Sequence, residues 1–184
     1  IDKKLGGTAT LDVIINAPDS VIEDEEYSYE DDFDDDFGDD LDKEIQKQGY
    51  WFTSENLKFL ESIHDYLEDR EEIGKVLSVS SGIKLAEIAN NNMRLTDVEL
   101  ALLRNLLPEE IEEQLLSSYI SEDDNQVRLS ARVIESLDGL NRKDFINSID
   151  SDLQEVFNLE SNQYSLTGIS VIYSNLLQSL FGSL

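Results

Sequence analysis

Val127, Leu129, Ala131 and Val133 alternate with Arg128, Ser130 and Arg132. A period of two puts the four apolar side chains on one face of an extended segment and both guanidiniums on the other. Residues 127–134 are therefore expected to form a half-buried strand, which needs neighbouring strands and a covering layer.

Those neighbours are legible. Leu11, Val13 and Ile15 also alternate, so residues 8–16 read as a strand, ended by Pro18, which cannot donate to a ladder. Leu57, Leu60, Ile63 and Leu67 recur at helical spacing, with Thr53 or Ser54 placed to cap the start. Residues 73–80 are short and rich in branched side chains, and read as a strand that completes a first β–α–β unit.

A helical insert follows. Thr96-Asp97-Val98-Glu99 has the pattern of a capping box, and Leu100, Leu103, Leu106 and Leu107 continue its helix. Pro108, Glu109 and Glu110 suit the first turn of another, with Ile111, Leu115 and Tyr119 on its buried side. After strand 127–134, Asn141 caps a helix whose inner face is Phe145, Ile149, Leu153 and Val156 or Phe157. Residues 164–169 form a fourth strand, broken near Gly168, and a last helix runs from Ser170. Two split β–α–β halves predict an α+β, ferredoxin-like, four-stranded sheet with helices on one face.

At 184 residues this is a single domain with an appendage, and 14 basic against 41 acidic residues give a net charge of −27. Such a field repels nucleic-acid phosphate and anionic lipid. With no Cys, disulfides, thiol catalysis, Cys-ligated zinc and iron–sulfur clusters are excluded. A lone His64 excludes a multi-His centre, and its place beside the apolar stripe of the 57–67 helix gives it no catalytic or metal role. No apolar run reaches the roughly 18 residues that span a bilayer. The chain begins at Ile1 without a signal-peptide pattern, so it reads as a piece of something larger.

About half of the charge sits in one place. From Asp19 to Glu44 there are 15 carboxylates and one base, Lys43. Residues 19–48 are expected to be an acidic, flexible insertion, because compaction would press like charges together. A calcium loop ending at Glu44 would place Phe33 and Phe37 at ligand positions, so the motif fails and only weak divalent-cation binding is expected there. Phe33, Phe37, Leu41 and Ile45 at steps of four would make one apolar face if the segment folded on a partner; otherwise it is a solvated loop.

No other motif carries chemistry. Gly6-Gly7-Thr8 lacks the Lys-Ser/Thr of a phosphate loop and precedes a strand, so it reads as a flexible entry. Arg128 and Arg132 either line a groove for an anionic headgroup or pair with nearby carboxylates. From Leu166 to Leu184 there is no charged residue. That stretch either approaches a membrane or docks on the sheet through Val171, Ile172, Leu176 and Leu180. No catalytic, cofactor-binding or metal-binding residue is assigned, and no cofactor is expected.

Leu5-Gly6-Gly7-Thr8-Ala9-Thr10-Leu11-Asp12-Val13-Ile14-Ile15 resembles the start of the first extracytoplasmic domain of predicted exporters of the RND superfamily, related to the MMPL group. Ile73-Gly74-Lys75-Val76-Leu77-Ser78, Glu99-Leu100-Ala101-Leu102-Leu103 and Leu107-Pro108-Glu109-Glu110 resemble later parts of that domain. Leu166-Thr167-Gly168, Tyr173 and Asn175-Leu176-Leu177-Gln178-Ser179-Leu180-Phe181 resemble the lead-in to the family's second membrane helix, which residues 170–184 would represent.

The resemblance implies a porter-type domain between the first two membrane helices, on the periplasmic side of a bacterial inner membrane. Its partners would be the remainder of the same transporter, including a second porter domain, and a hydrophobic or lipid-like substrate. Transport would be proton-driven, with the relay carboxylates on membrane helices that this sequence does not contain. The acidic insertion departs from the family pattern. The expected function is thus non-enzymatic, in substrate passage and inter-domain contacts. The alternative is a free-standing acidic module that binds proteins or gathers cations.

Overall fold

Alternation becomes strand where the sequence demands it. In the computed structural model, which describes residues 2, 6–18, 49–106 and 116–181, β1 (Ala9–Asn16) buries every second residue and leaves the others half-buried. β2 (Ile73–Leu77), β3 (Gln126–Val133) and β4 (Tyr164–Thr167) join it in one sheet of order β2-β3-β1-β4. β4 runs antiparallel to β1, with Asp12 opposite Thr167 and Ile14 opposite Ser165. β2 runs antiparallel to β3, with Lys75 opposite Arg132 and Leu77 opposite Ser130. Thr8 N donates to Val133 O at 3.2 Å and Ala17 N to Asn125 O at 2.7 Å, which bracket β1 and β3 in antiparallel register. The fold is α+β, with the strand order of a ferredoxin-like split β–α–β sheet.

The described residues divide into two compact units, one of residues 2, 6–15, 62–78 and 128–181 and the other of residues 16–18, 49–61, 79–106 and 116–127. The first is the sheet unit. Its core buries Leu11, Val13 and Ile15 from β1 and Leu129, Ala131 and Val133 from β3. Ile63 and Leu67 come from α1 (Ser54–Glu68), and Phe145, Ile149 and Leu153 from α4 (Arg142–Glu155). Asn141 caps α4 as its sequence requires: its side chain accepts from the backbone N–H groups of Lys143 and Asp144. α5 (Ile169–Phe181) lies against α4 and β4.

β2 and β4 are the sheet edges. β2 is irregular, because the register shifts between Ile73 and Lys75. A side chain on the intervening Gly74 would collide with the Gly6 carbonyl. Gly168, at φ +101°, turns the chain from β4 into α5, and a Cβ there would sit 2.5 Å from Thr10 O.

The second unit is helical. It holds the 3₁₀ turn Tyr50–Phe52, residues 54–61 of α1, α2 (Val79–Ala89), α3 (Asp97–Leu106) and a short hairpin in which Ile120 pairs with Val127. Trp51, Phe52, Leu57, Leu60, Leu100 and Ala101 are buried in it. Arg104 pairs with Asp124 at 2.9 Å and lies 5.8 Å over the Phe52 ring.

Two expectations are corrected. The strand expected over residues 73–80 ends at Leu77, and Val79 and Ser80 are buried in the first turn of α2. A short apolar run has the same composition in a buried strand and a buried helix, so period alone does not separate them. Tyr119 sits half-buried in a turn rather than on a helix. The rest of the helix expected after Pro108 lies outside the described residues, as does the acidic insertion of residues 19–48.

Candidate functional site

The helical unit contains a groove of about 320 Å³. The starts of α1 and α3, together with α2, build it. Thr53 Oγ1 accepts from Asn56 N at 3.3 Å at the head of α1. Thr96 and Glu99 form the expected capping box of α3, with Thr96 N donating to Glu99 Oε2 at 2.8 Å and Glu99 N to Thr96 Oγ1 at 3.4 Å. The Thr96 N–H, and then the Thr96 hydroxyl, donate to the exposed Glu99 carboxylate and hold it below its ordinary range. Ser54 N then donates to Asp97 Oδ1 at 2.6 Å, which ties the two helix starts together.

Leu57, Ile83, Leu95 and Leu100 give the groove an apolar lining. Lys58, Lys84 and Arg94 stand around it with Glu55, Glu61 and Glu87. Arg94 Nη2 bonds Glu61 Oε2 at 2.9 Å. The lining is thus apolar with a rim of balanced charge, in a chain of net charge −27. Its volume is at the small end of the range, about 300–1,000 Å³, that holds small molecules. Such a groove suits the apolar part of a ligand. Its charged groups are Lys, Arg and Glu, and Ser54 and Ser80 also line it.

In the sheet unit His64 is buried, 3% exposed, rather than beside the apolar stripe. Its Nδ1 lies 2.9 Å from Ser78 Oγ, and its Nε2 lies 3.7 Å from Glu68 Oε2. Serine, imidazole and carboxylate follow one another as in a hydrolase relay. Ser78 is only 1% exposed, however, so no carbonyl can reach its hydroxyl, and the chain of groups is not a nucleophile. The signal for burial was present: Leu60, Ile63, His64 and Leu67 follow the i, i+3, i+4, i+7 spacing of one wide helix face.

A polar network in the same unit had no local sequence signal. Tyr66 donates a short hydrogen bond to Asp152, while Arg70 donates to Tyr66 Oη at 2.7 Å and to Ser148 Oγ at 2.8 Å. Arg70 also lies 5.4 Å over the Phe145 ring. Burial, and then the bond to Asp152, push the Tyr66 hydroxyl up to about 12. These residues fasten α1 to α4 and leave no group aimed at a ligand.

Arg128 and Arg132 are exposed on one face of β3, and Lys75 stands opposite Arg132. Neither arginine has an ion-pair partner among the described residues. The expected weak cation site and the partner-binding face, Phe33 to Ile45, lie outside the described residues.

The final helix differs from the docked helix described by Val171, Ile172, Leu176 and Leu180. α5 turns Ser170 and Ser174 inward, with Val171 half-buried. Ile169, Ile172, Tyr173, Leu176, Leu177 and Leu180 point outward, 40–61% exposed. A hollow of about 490 Å³ lies between α5 and the first turn of α4, lined by Leu140, Arg142, Lys143, Ser174 and Leu177. No described helix is long and apolar enough to cross a membrane.

No family model matches the chain, and no solved structure matches it. One curated protein is similar over part of the length: a Plasmodium falciparum (isolate 3D7) protein that carries the provisional name vacuolar protein sorting-associated protein 60, 39% identical over 67 residues. The match takes in 36% of this chain and 28% of that protein, so the chain spans little more than a quarter of the relative's length.

Proposed function

We propose that the chain is a porter-type, extracytoplasmic domain of a proton-driven RND-type exporter, acting by binding and contact rather than by catalysis. It would face the periplasm and take part in the passage of hydrophobic or lipid-like molecules and in contacts with the rest of the transporter. The observation that carries this reading is α5: a helix without charge, following directly on a split β–α–β sheet, with six large apolar side chains outward and Ser170 and Ser174 inward. The exposed leucines and isoleucines of such a helix gain by meeting an apolar environment. The apolar groove of the helical unit supports the same reading, since its lining fits part of an aliphatic molecule.

The test is to express the chain with its native flanking sequence in a bacterial host and fractionate the cells. The expected product sediments with membranes and is digested by protease added to spheroplasts. A product that remains in the soluble fraction overturns the reading and favours the free-standing acidic module.

A further inference from the structure

We propose that His64, Asp65 and Glu68 form a binding site for a zinc-class divalent cation. The inference is independent of the transport reading. His64 and Glu68 are four residues apart on α1, so their side chains rise from the same helix face, and Asp65 flanks them. One ligand atom from each of the three residues lies within 4.8 Å of the other two.

The 3.7 Å separation of His64 Nε2 and Glu68 Oε2 is too long for a hydrogen bond. It is close to the separation, about 3.4 Å, of two ligands that share a tetrahedral ion at about 2.1 Å. Ser78 supplies the supporting contact that metal-bound imidazoles require. Its Oγ lies 2.9 Å from His64 Nδ1. In the tautomer whose Nδ1–H donates to Ser78, Nε2 presents its lone pair to the carboxylates.

Burial of both His64 and Ser78 fixes the ring before any ion arrives. The Glu68 side chain is 52% exposed, which leaves an entry path and room for water to complete the coordination. One imidazole and two carboxylates favour zinc over calcium or magnesium, which prefer larger shells of oxygen. The two carboxylates also neutralise the ion's charge, and a chain of −27 concentrates cations around itself.

His64 is the sole histidine, so its imidazole signals in a proton–carbon NMR spectrum report the site without ambiguity. Zn²⁺ is titrated into the intact chain in a millimolar excess of Mg²⁺, which occupies weak carboxylate sites. The expected result is a saturable shift of the His64 signals at one equivalent. Glu68→Gln and Asp65→Asn, both at exposed positions, should each weaken binding about tenfold or more, and Ser78→Ala should weaken it by a similar factor. His64 signals that do not move, or variants D65N and E68Q that bind zinc as tightly as the parent chain, overturn the proposal. Should Ser78→Ala fail to fold, the two exposed variants decide the question alone.

Discussion

Leu129→Ala tests the sheet core directly. Leu129 is fully buried, at 0% exposure, on the strand that runs between β2 and β1. The substitution removes three carbons, and at about 0.8 kcal/mol each the lost transfer energy is about 2.4 kcal/mol. Both flanking strands hold β3 in place, so the site collapses little and the residual void adds on the order of 1 kcal/mol. The expected loss is about 3–4 kcal/mol. With a urea dependence of about 1–3 kcal/mol per molar, the unfolding midpoint should fall by about 1 M or more. Far-UV circular dichroism in urea measures it. Arg128→Ala, one residue away on the exposed face, is the control and should change stability by about 0.5 kcal/mol at most. Equal midpoints for the parent and Leu129→Ala, or equal losses for the two variants, would refute the assignment of the buried face.

Three further outcomes are expected. Gly168→Ala should destabilise by about 2 kcal/mol or more, read as a lower thermal midpoint, because φ is +101° and the new Cβ meets Thr10 O. The Tyr66 hydroxyl is raised from 10.0 to about 12, so between these values the folded chain holds a proton that the unfolded chain has released. Its stabilising contribution is complete below pH 10 and disappears as pH rises through 12, and urea midpoints across that window should fall less steeply in Tyr66→Phe. Replacing Ile172, Leu176 and Leu180 together by Ser should leave the unfolding midpoint nearly unchanged and reduce binding of a hydrophobic dye, since all three point outward.

The sheet was legible because its order follows from local patterns. The alternation in β1 and β3, the stripe of Ile63 and Leu67 and the Asn141 cap each identify an element within a few residues. Val79 failed this logic, because a branched apolar residue beside Ser78 serves a strand end or a helix start equally well. α5 failed for another reason. Periodicity shows which side of a helix is apolar but not which side the protein keeps, and here the close approach is made by Ser170 and Ser174. The groove was not legible either, since Leu57, Ile83 and Leu100 come from three helices and meet only after folding. His64 could have been placed inside from its spacing to Leu60, whereas its contact with Ser78 joins two elements and leaves no local pattern.

The two sheet edges carry a consequence for how the protein behaves at high concentration. β4 offers only four residues, Tyr164–Thr167, and ends at a glycine whose backbone turns away. β2 is interrupted at Gly74, and the next residue is the exposed Lys75. A neighbouring chain that tries to extend the ladder finds a short rim on one side, and a break in register beside a cation on the other. Both edges of the sheet therefore disfavour fibrillar strand addition.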